Sequence, residues 1–293
     1  MNRSRLIHER RLAHVPQRMR IAFTSRWLST LRQRHLRDGM PQLAVFAFDH
    51  VGQAIALWGR YERDELDLLM AALAPHLVDG GGGVCLDIGA NIGNHALFFA
   101  DRFREVLAFE PNPRTFGLLQ FNAALRRNIA CFNLGLSDAD GPARMTVPTD
   151  NIGMATLHAS GGLSGAAVDC ELRRLDGLDV LAQRRVAMVK IDVEGHEPAV
   201  LRGASALLAR DRPVVVFEQT PRDIHDGTSP AIELLRHAGY ARFWTIEHHP
   251  ASRWHGLNVL RRVLFGERLR MVECDHFEAR FHSMIVALPS AAQ

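Results

Sequence analysis

The segment Leu86-Asp87-Ile88-Gly89-Ala90-Asn91-Ile92-Gly93 follows a short apolar run and opens a helical one. Glycines at such a turn let the backbone pass close to a ligand at a helix N-terminus. In Phe109-Glu-Pro-Asn-Pro113, Glu110 ends the next apolar run. A carboxylate there can accept both hydroxyls of a ribose, so the glycine turn and the acid together read as a nucleoside site. A third segment, Asp192-Val-Glu-Gly-His-Glu197, ends another apolar run. Ligands of open parallel sheets bind at the carboxyl ends of strands, which makes Asp192, Glu194 and His196 the expected catalytic edge. Pro198 suits the first turn of a helix. That puts His196 at a helix N-terminus, where imidazolium is disfavoured and the neutral ring can accept a proton. His196 is the expected general base, with Asp192 and Glu194 as rivals and a plain helix cap as the bland alternative.

Two further features bear on the ligand. A pyrophosphate-binding loop usually shows G-x-G-x-x-G, whereas here an acid precedes the first glycine and Asn91 interrupts the series. An acid at that place repels phosphate and suits the ammonium of a methionine moiety, which favours S-adenosylmethionine over a nicotinamide dinucleotide. Lys190 is the single lysine of the chain. Strand alternation sets it on the same face as Asp192, so their charges are expected to pair beside the substrate.

These residues need a scaffold of alternating strands and helices. Strands are expected at 84–88, 105–109, 129–134, 186–191 and 213–217. Helices are expected at 61–77, 92–103, 113–126, 198–209 and 230–237, several of them opened by a proline. Such alternation predicts an α/β doubly wound, mostly parallel sheet. Residues 138–175 form a strand excursion containing Met145-Thr-Val147, Ala155-Thr-Leu157 and Ala167-Val-Asp-Cys-Glu-Leu172. Residues 248–279 interrupt a terminal strand pair at 242–246 and 281–288. Residues 1–47 form a helical N-terminal extension to a domain at 48–293. From Gln17 to Arg37, Phe23, Trp27, Leu28 and Leu31 recur among arginines, which reads as a basic amphipathic helix.

The 293 residues are 47% hydrophobic and 23% charged, with no run long enough to span a bilayer, so a soluble, cytoplasmic protein is expected. Ten arginines against Glu9 and Asp38 make residues 1–40 strongly basic, and the remainder is net acidic. The body therefore gives no reason to invoke nucleic acid, while the arm suits packing on the body, a second subunit or a peripheral membrane contact. Cys85, Cys131, Cys170 and Cys274 lack disulfide or zinc spacing, and Cys85 and Cys131 read as strand core. His248, His249 and His255 lack an acidic partner at ligand spacing, so no metal is expected. Weaker candidates are Glu218 at the end of a fifth strand, Asn151-Ile-Gly153 as a lid or an ordinary turn, and Tyr61 with Glu62 as a pocket closure or a helix start.

From about Phe48 onward the chain resembles the FkbM family of methyltransferases. The resemblance rests on Asp87-Ile-Gly-Ala-Asn-Ile-Gly93, Phe109-Glu-Pro-Asn-Pro113, Leu134-Gly-Leu-Ser-Asp138, Lys190-Ile-Asp-Val-Glu-Gly-His-Glu197, Val200-Leu-Arg-Gly-Ala204 and Gly59-Arg-Tyr-Glu62. It implies a seven-stranded, Rossmann-like class I methyltransferase fold that uses S-adenosylmethionine. Asp87, Gly89, Asn91 and Gly93 would line the methionine end, Glu110 with Asn112 the ribose, and Ser137 and Asp138 the adenine, with Asp192 shared between cofactor and catalysis. The implied acceptor is a hydroxyl on a sugar or other glycan, a polyketide or another small molecule. Its rivals are a nucleic-acid methyltransferase, although no Asn/Asp-Pro-Pro-aromatic motif occurs, a non-catalytic cofactor-binding module, and a nicotinamide dehydrogenase.

Overall fold

The computed structural model describes residues 15–77, 82–148, 165–249 and 268–290. Its helices are α1 (Val15–Arg37), α2 (His50–Trp58), α3 (Arg63–Leu73), α4 (Asn94–Ala100), α5 (Pro113–Ala123), α6 (Glu197–Arg202), α7 (Ser205–Asp211) and α8 (Pro230–His237). The strands are β1 (Val84–Ile88), β2 (Glu105–Phe109), β3 (Ile129–Phe132), β4 (Gly135–Leu136), β5 (Gly141–Pro148), β6 (Gly165–Arg173), β7 (Val186–Ile191), β8 (Val214–Gln219), β9 (Tyr240–His249), β10 (Arg268–Glu273) and β11 (His282–Pro289).

Eight strands form the main sheet in the order β10-β9-β11-β8-β7-β1-β2-β3. From β8 to β3 all neighbours are parallel, and β11 enters antiparallel between β8 and β9. The reversal of order beside β1 puts the carboxyl ends of β1, β2, β7 and β8 around one crevice. Parallel strands covered on both faces must be apolar throughout, and all five residues of β1 are buried. Alternate residues feed two cores. Leu86, Ile88, Val189 and Val215 pack with Val200, Leu207 and Ile232 on one face. Cys85, Val106, Met188 and Val216 pack with Leu66, Leu69, Phe98 and Phe99 on the other.

The sheet has one strand more than the seven expected. Part of the 248–279 interruption is β10, which pairs antiparallel with β9 from Arg268↔His249 to Glu273↔Trp244. Arginines alternate with Leu269 and Met271 there, and the two apolar residues pack on the core beneath α3. The excursion is a separate three-stranded sheet in which β6 pairs antiparallel with β5 and parallel with β4. The helix expected over 198–209 is broken into α6 and α7 at Gly203, where an added Cβ would lie 1.9 Å from the Ser137 carbonyl oxygen. Such an approach excludes any side chain.

The basic helix forms as α1, but its apolar residues do not gather on one buried stripe. None of its residues is fully buried, and Phe23 is 78% exposed. Its contact with the body runs through half-buried Leu31 and His35 in its C-terminal half, where His35 meets Gly59 at the end of α2. No described helix is long and apolar enough to cross a membrane. Cys85 is fully buried in β1, and Cys131 is half-buried in β3. Asn151-Ile-Gly153, Ala155-Thr-Leu157 and His255 lie outside the described residues.

Candidate active site

After β1 the chain turns through Gly89 (φ +77°), Asn91 (φ +50°) and Gly93 (φ +88°) into α4. Gly89 has no tolerance for a side chain, because an added Cβ would stand 1.8 Å from the Asp192 carbonyl oxygen. The first and third segments singled out in the sequence therefore touch through their backbones. Gly93 caps α4 against Leu119 and lies behind the cleft wall.

Glu110 is buried at the end of β2. Its two carboxylate oxygens accept from Asn91 N (3.0 Å) and Asn112 N (2.9 Å). Burial pushes its pKa up to about 7, against the downward pull of those two donors. Asn112 is also buried and accepts from Arg114 N, capping α5.

Asp87 lies at the base of the site, completely buried, with Lys190 beside it on the same sheet face. The Lys190 ammonium stands 3.0 Å from Asp192 Oδ2 and 3.5 Å from Asp87 Oδ1. Burial alone would lower the lysine pKa, but Asp192 and Asp87 more than reverse this and hold it above its usual range. Lys190 thus pairs with Asp192, as strand alternation predicts, and Asp87 pairs with Lys190 instead of facing the cleft.

After β7 the chain turns sharply at Glu194 (φ +51°) and Gly195 (φ +91°). Glu197 Oε1 accepts from Val193 N (3.3 Å) and Gly195 N (3.2 Å) and fixes that turn. Burial carries Glu197 up to about 7 despite these donors. Glu194 also reaches about 7, through burial and then repulsion from Asp192. His196 precedes α6, and its Nε2 lies 2.9 Å from Ser137 Oγ. Ser137 is buried, and its neighbour Asp138 forms an ion pair with Arg202 at 2.8 Å.

One cleft, open to solvent, joins these parts. Gly89, Asn91 and Glu110 line one side, and Asp192, Glu194 and His196 the other. Asp87, Gly93, Asn112, Ser137 and Lys190 are not part of the lining, and Asp138 is exposed outside it. Four cleft residues matter more than the sequence suggests: Glu218 from β8, Thr115 from α5, and His50 and Tyr61 from the region before β1. Glu218 is pushed far above the carboxylate range by burial and by Asp192 and Glu194. Thr115 and His50 carry no local signal, since each comes from an ordinary helical stretch and reaches the cleft through tertiary packing.

A model of the FkbM methyltransferase domain matches residues 87–254. The chain belongs to the FkbM methyltransferase family. Over 152 residues it is 30% identical to the hexuronic acid methyltransferase AglP of Haloferax volcanii, in a match spanning 50% of this chain and 58% of that protein. It is 30% identical over 187 residues to the methyltransferase sdnD of Sordaria araneosa, spanning 51% of this chain and 70% of that one. Among solved structures, the FkbM methyltransferase of Methylobacillus flagellatus KT shares 16% identity, with 89% of this chain and 57% of that chain covered and a TM-score of 0.43.

Proposed function

We propose that the cleft of this FkbM protein binds S-adenosylmethionine and transfers its methyl group to a hydroxyl of a sugar, polyketide or other small molecule. One observation carries it: a single cleft joins the glycine turn and Glu110 to Asp192, Glu194 and His196. The residues fit the cofactor. Gly89 lets the turn after β1 press against the Asp192 carbonyl and join the two sides of the cleft, Glu110 is held by two backbone donors with lone pairs left for a ribose diol, and the buried Thr115 hydroxyl has no partner among the described residues.

A dinucleotide fits less well. Its pyrophosphate belongs at the N-terminus of the helix after β1. Here that end of α4 is crossed by Arg60 and Tyr61: Asn94 donates to Tyr61 O (3.0 Å) and accepts from Tyr61 N (3.2 Å), and Arg60 donates to Asn94 O (3.2 Å).

The bound cofactor supplies an electrophilic methyl on a sulfonium. The protein aligns an oxygen with it and takes the proton that the alcohol loses. In this reading His196 takes that proton. Ser137 Oγ donates to Asp138 Oδ1 (3.3 Å) and lies 2.9 Å from His196 Nε2. In this reading the neutral ring carries its proton on Nε2 and its basic lone pair on Nδ1. Asp192, neutralised on one side by Lys190, orients the acceptor.

The test is transfer of labelled methyl from S-adenosylmethionine to a panel of sugar and polyketide alcohols. Methylated alcohol supports the reading. Binding of the cofactor without transfer to any alcohol in a broad panel would favour a non-catalytic module.

A further inference from the structure

α1 is held to the body near one end only. Leu31 and His35 are half-buried, and every other residue of the helix is exposed. Steps of four back from Leu31 give Trp27, Phe23, Met19 and Val15. Residues four apart form one ridge on a helix, so the ridge that packs on the body runs on beyond it, uncovered. Val15, Met19 and Phe23 are 67% to 78% exposed, and Trp27 is 49% exposed. Trp58, beside the Gly59 that His35 covers, is exposed as well. A helix that packs only on its own fold turns such a ridge inward, and an uncovered apolar surface marks a place of interaction. The charge of α1 is equally one-sided. From Val15 to Arg37 there is no acidic residue, against Arg18, Arg20, Arg26, Arg32, Arg34 and Arg37. Of these, Arg34 alone has an ion-pair partner among the described residues, Asp38 at 3.8 Å. Arg34 and Arg37 lie in the last turn, where cations suit the helix dipole. Arg18 lies in the first turn, where they oppose it, so the stability of the helix does not account for that arginine.

We propose that α1 lies on an anionic lipid bilayer, with Val15, Met19, Phe23 and Trp27 at the boundary of headgroups and acyl chains and the arginines on lipid phosphates, and that it thereby holds the domain at a membrane surface. Such a surface supplies both things that α1 lacks. Its hydrocarbon covers the ridge, and its anions meet the guanidinium groups, whose apolar stems lie along the same boundary. Nucleic acid offers phosphate without hydrocarbon, and a second α1 offers apolar surface without a counter-charge. Residues 41–293 are net acidic and are repelled by anionic lipid, which leaves the arm as the binding element. The attachment is firm enough to carry the body. Met40 N donates to His35 O at 2.9 Å, and an added Cβ on Gly59 would stand 2.9 Å from His35 Nδ1, so the end of α1 is packed closely on the end of α2.

The test is co-sedimentation of the full chain with vesicles of phosphatidylcholine alone and of phosphatidylcholine with phosphatidylglycerol at about 3:1. Wild type is expected to pellet with the anionic vesicles and to stay in solution with the neutral ones. The triple variant Arg18→Gln, Arg20→Gln, Arg26→Gln should weaken partition by about a hundredfold, at about fivefold for each arginine near the surface. The double variant Phe23→Ser, Trp27→Ser should weaken it by about tenfold or more through the lost apolar contact. Both sets of side chains are exposed, so the melting temperature of the body stays as in wild type and shows that each variant is folded. No pelleting of wild type with anionic vesicles overturns the proposal, as does pelleting that neither variant weakens. Concentration-dependent dimerisation without lipid binding, lost in the Phe23→Ser, Trp27→Ser variant, gives the ridge to a second copy and overturns it too. So does salt-sensitive binding of a random DNA duplex, lost in the arginine variant, when vesicles are not bound.

Discussion

The two ends of the cleft are built on opposite principles. At the β1–β2 end the ligand-facing groups are held by backbone: Gly89 is pressed against a carbonyl, and Glu110 is fixed by the amides of Asn91 and Asn112. At the β7–β8 end three carboxyls crowd together, and Glu194 sits in the left-handed region that side chains disfavour. The first end is preorganised in its backbone, while the buried Thr115 hydroxyl there has no hydrogen-bond partner among the described residues. The second gathers three carboxyl groups, of which burial holds Glu194 and Glu218 above the usual carboxylate range while Lys190 pairs with Asp192.

The strongest way to break the contrast is at the point where the ends touch. Gly89→Ala drives a Cβ into the Asp192 carbonyl at φ +77°. It is expected to cost about 3 kcal/mol or more of stability and to remove cofactor binding. Calorimetric unfolding reads this directly, and a cost below about 1 kcal/mol would show that the two backbones can part.

Next comes the chemistry of the β7–β8 end. His196→Ala is expected to lower kcat by about 10²–10⁴-fold and to leave product binding intact, with the acidic limb of the pH–rate profile lost. Full turnover with an unchanged profile would pass the proton to Asp192 or Glu194. Lys190→Arg should have a smaller effect, about 1–3 kcal/mol in stability, because a planar guanidinium must replace a compact ammonium between Asp87 and Asp192. Unchanged stability would make Lys190 an incidental residue.

The smallest effect is a slope. The Glu197 carboxyl has its folded pKa raised from 4.5 to about 7. Between those values the folded state keeps a proton that the unfolded state has released, so this group makes stability fall as pH rises and then level off above about 7. Glu197→Gln keeps an oxygen for Val193 N and Gly195 N, and its amide takes the place of an oxygen that lacks a partner among the described residues. The variant should flatten the fall in melting temperature between pH 5 and 8, and an unaltered slope would contradict the assignment.

How much of this was legible in the sequence follows the same division. Gly89, Asn91 and Glu110 are readable because a strand-to-helix turn and the acid after the next strand are local patterns with local causes. The pairing of Lys190 with Asp192 is readable because strand alternation alone puts them on one face. The bond between Ser137 and His196 is not, since 59 residues separate them and neither segment hints at the other. Asp87 illustrates the limit of a local electrostatic argument: the acid beside the glycine turn is real, but its charge is directed to Lys190 from a neighbouring strand. β10 escaped notice because its arginines mask the alternation of Leu269 and Met271, as suits an edge strand with one face in solvent. Glu218 is named from its place at the end of the fifth strand, whereas Thr115 joins the site only through tertiary packing.

The central claim is that this cleft is an S-adenosylmethionine site anchored by Glu110. Its most direct test is the thermal shift of the folded chain on adding S-adenosylhomocysteine, beside NAD, in wild type and Glu110→Ala. A ligand that binds only the folded state must raise its stability, by about 2.7 kcal/mol at a hundredfold excess over Kd. The expected result is a clear rise with S-adenosylhomocysteine, lost in Glu110→Ala, and no response to NAD. No rise at saturating S-adenosylhomocysteine, or a rise with NAD alone, would contradict it.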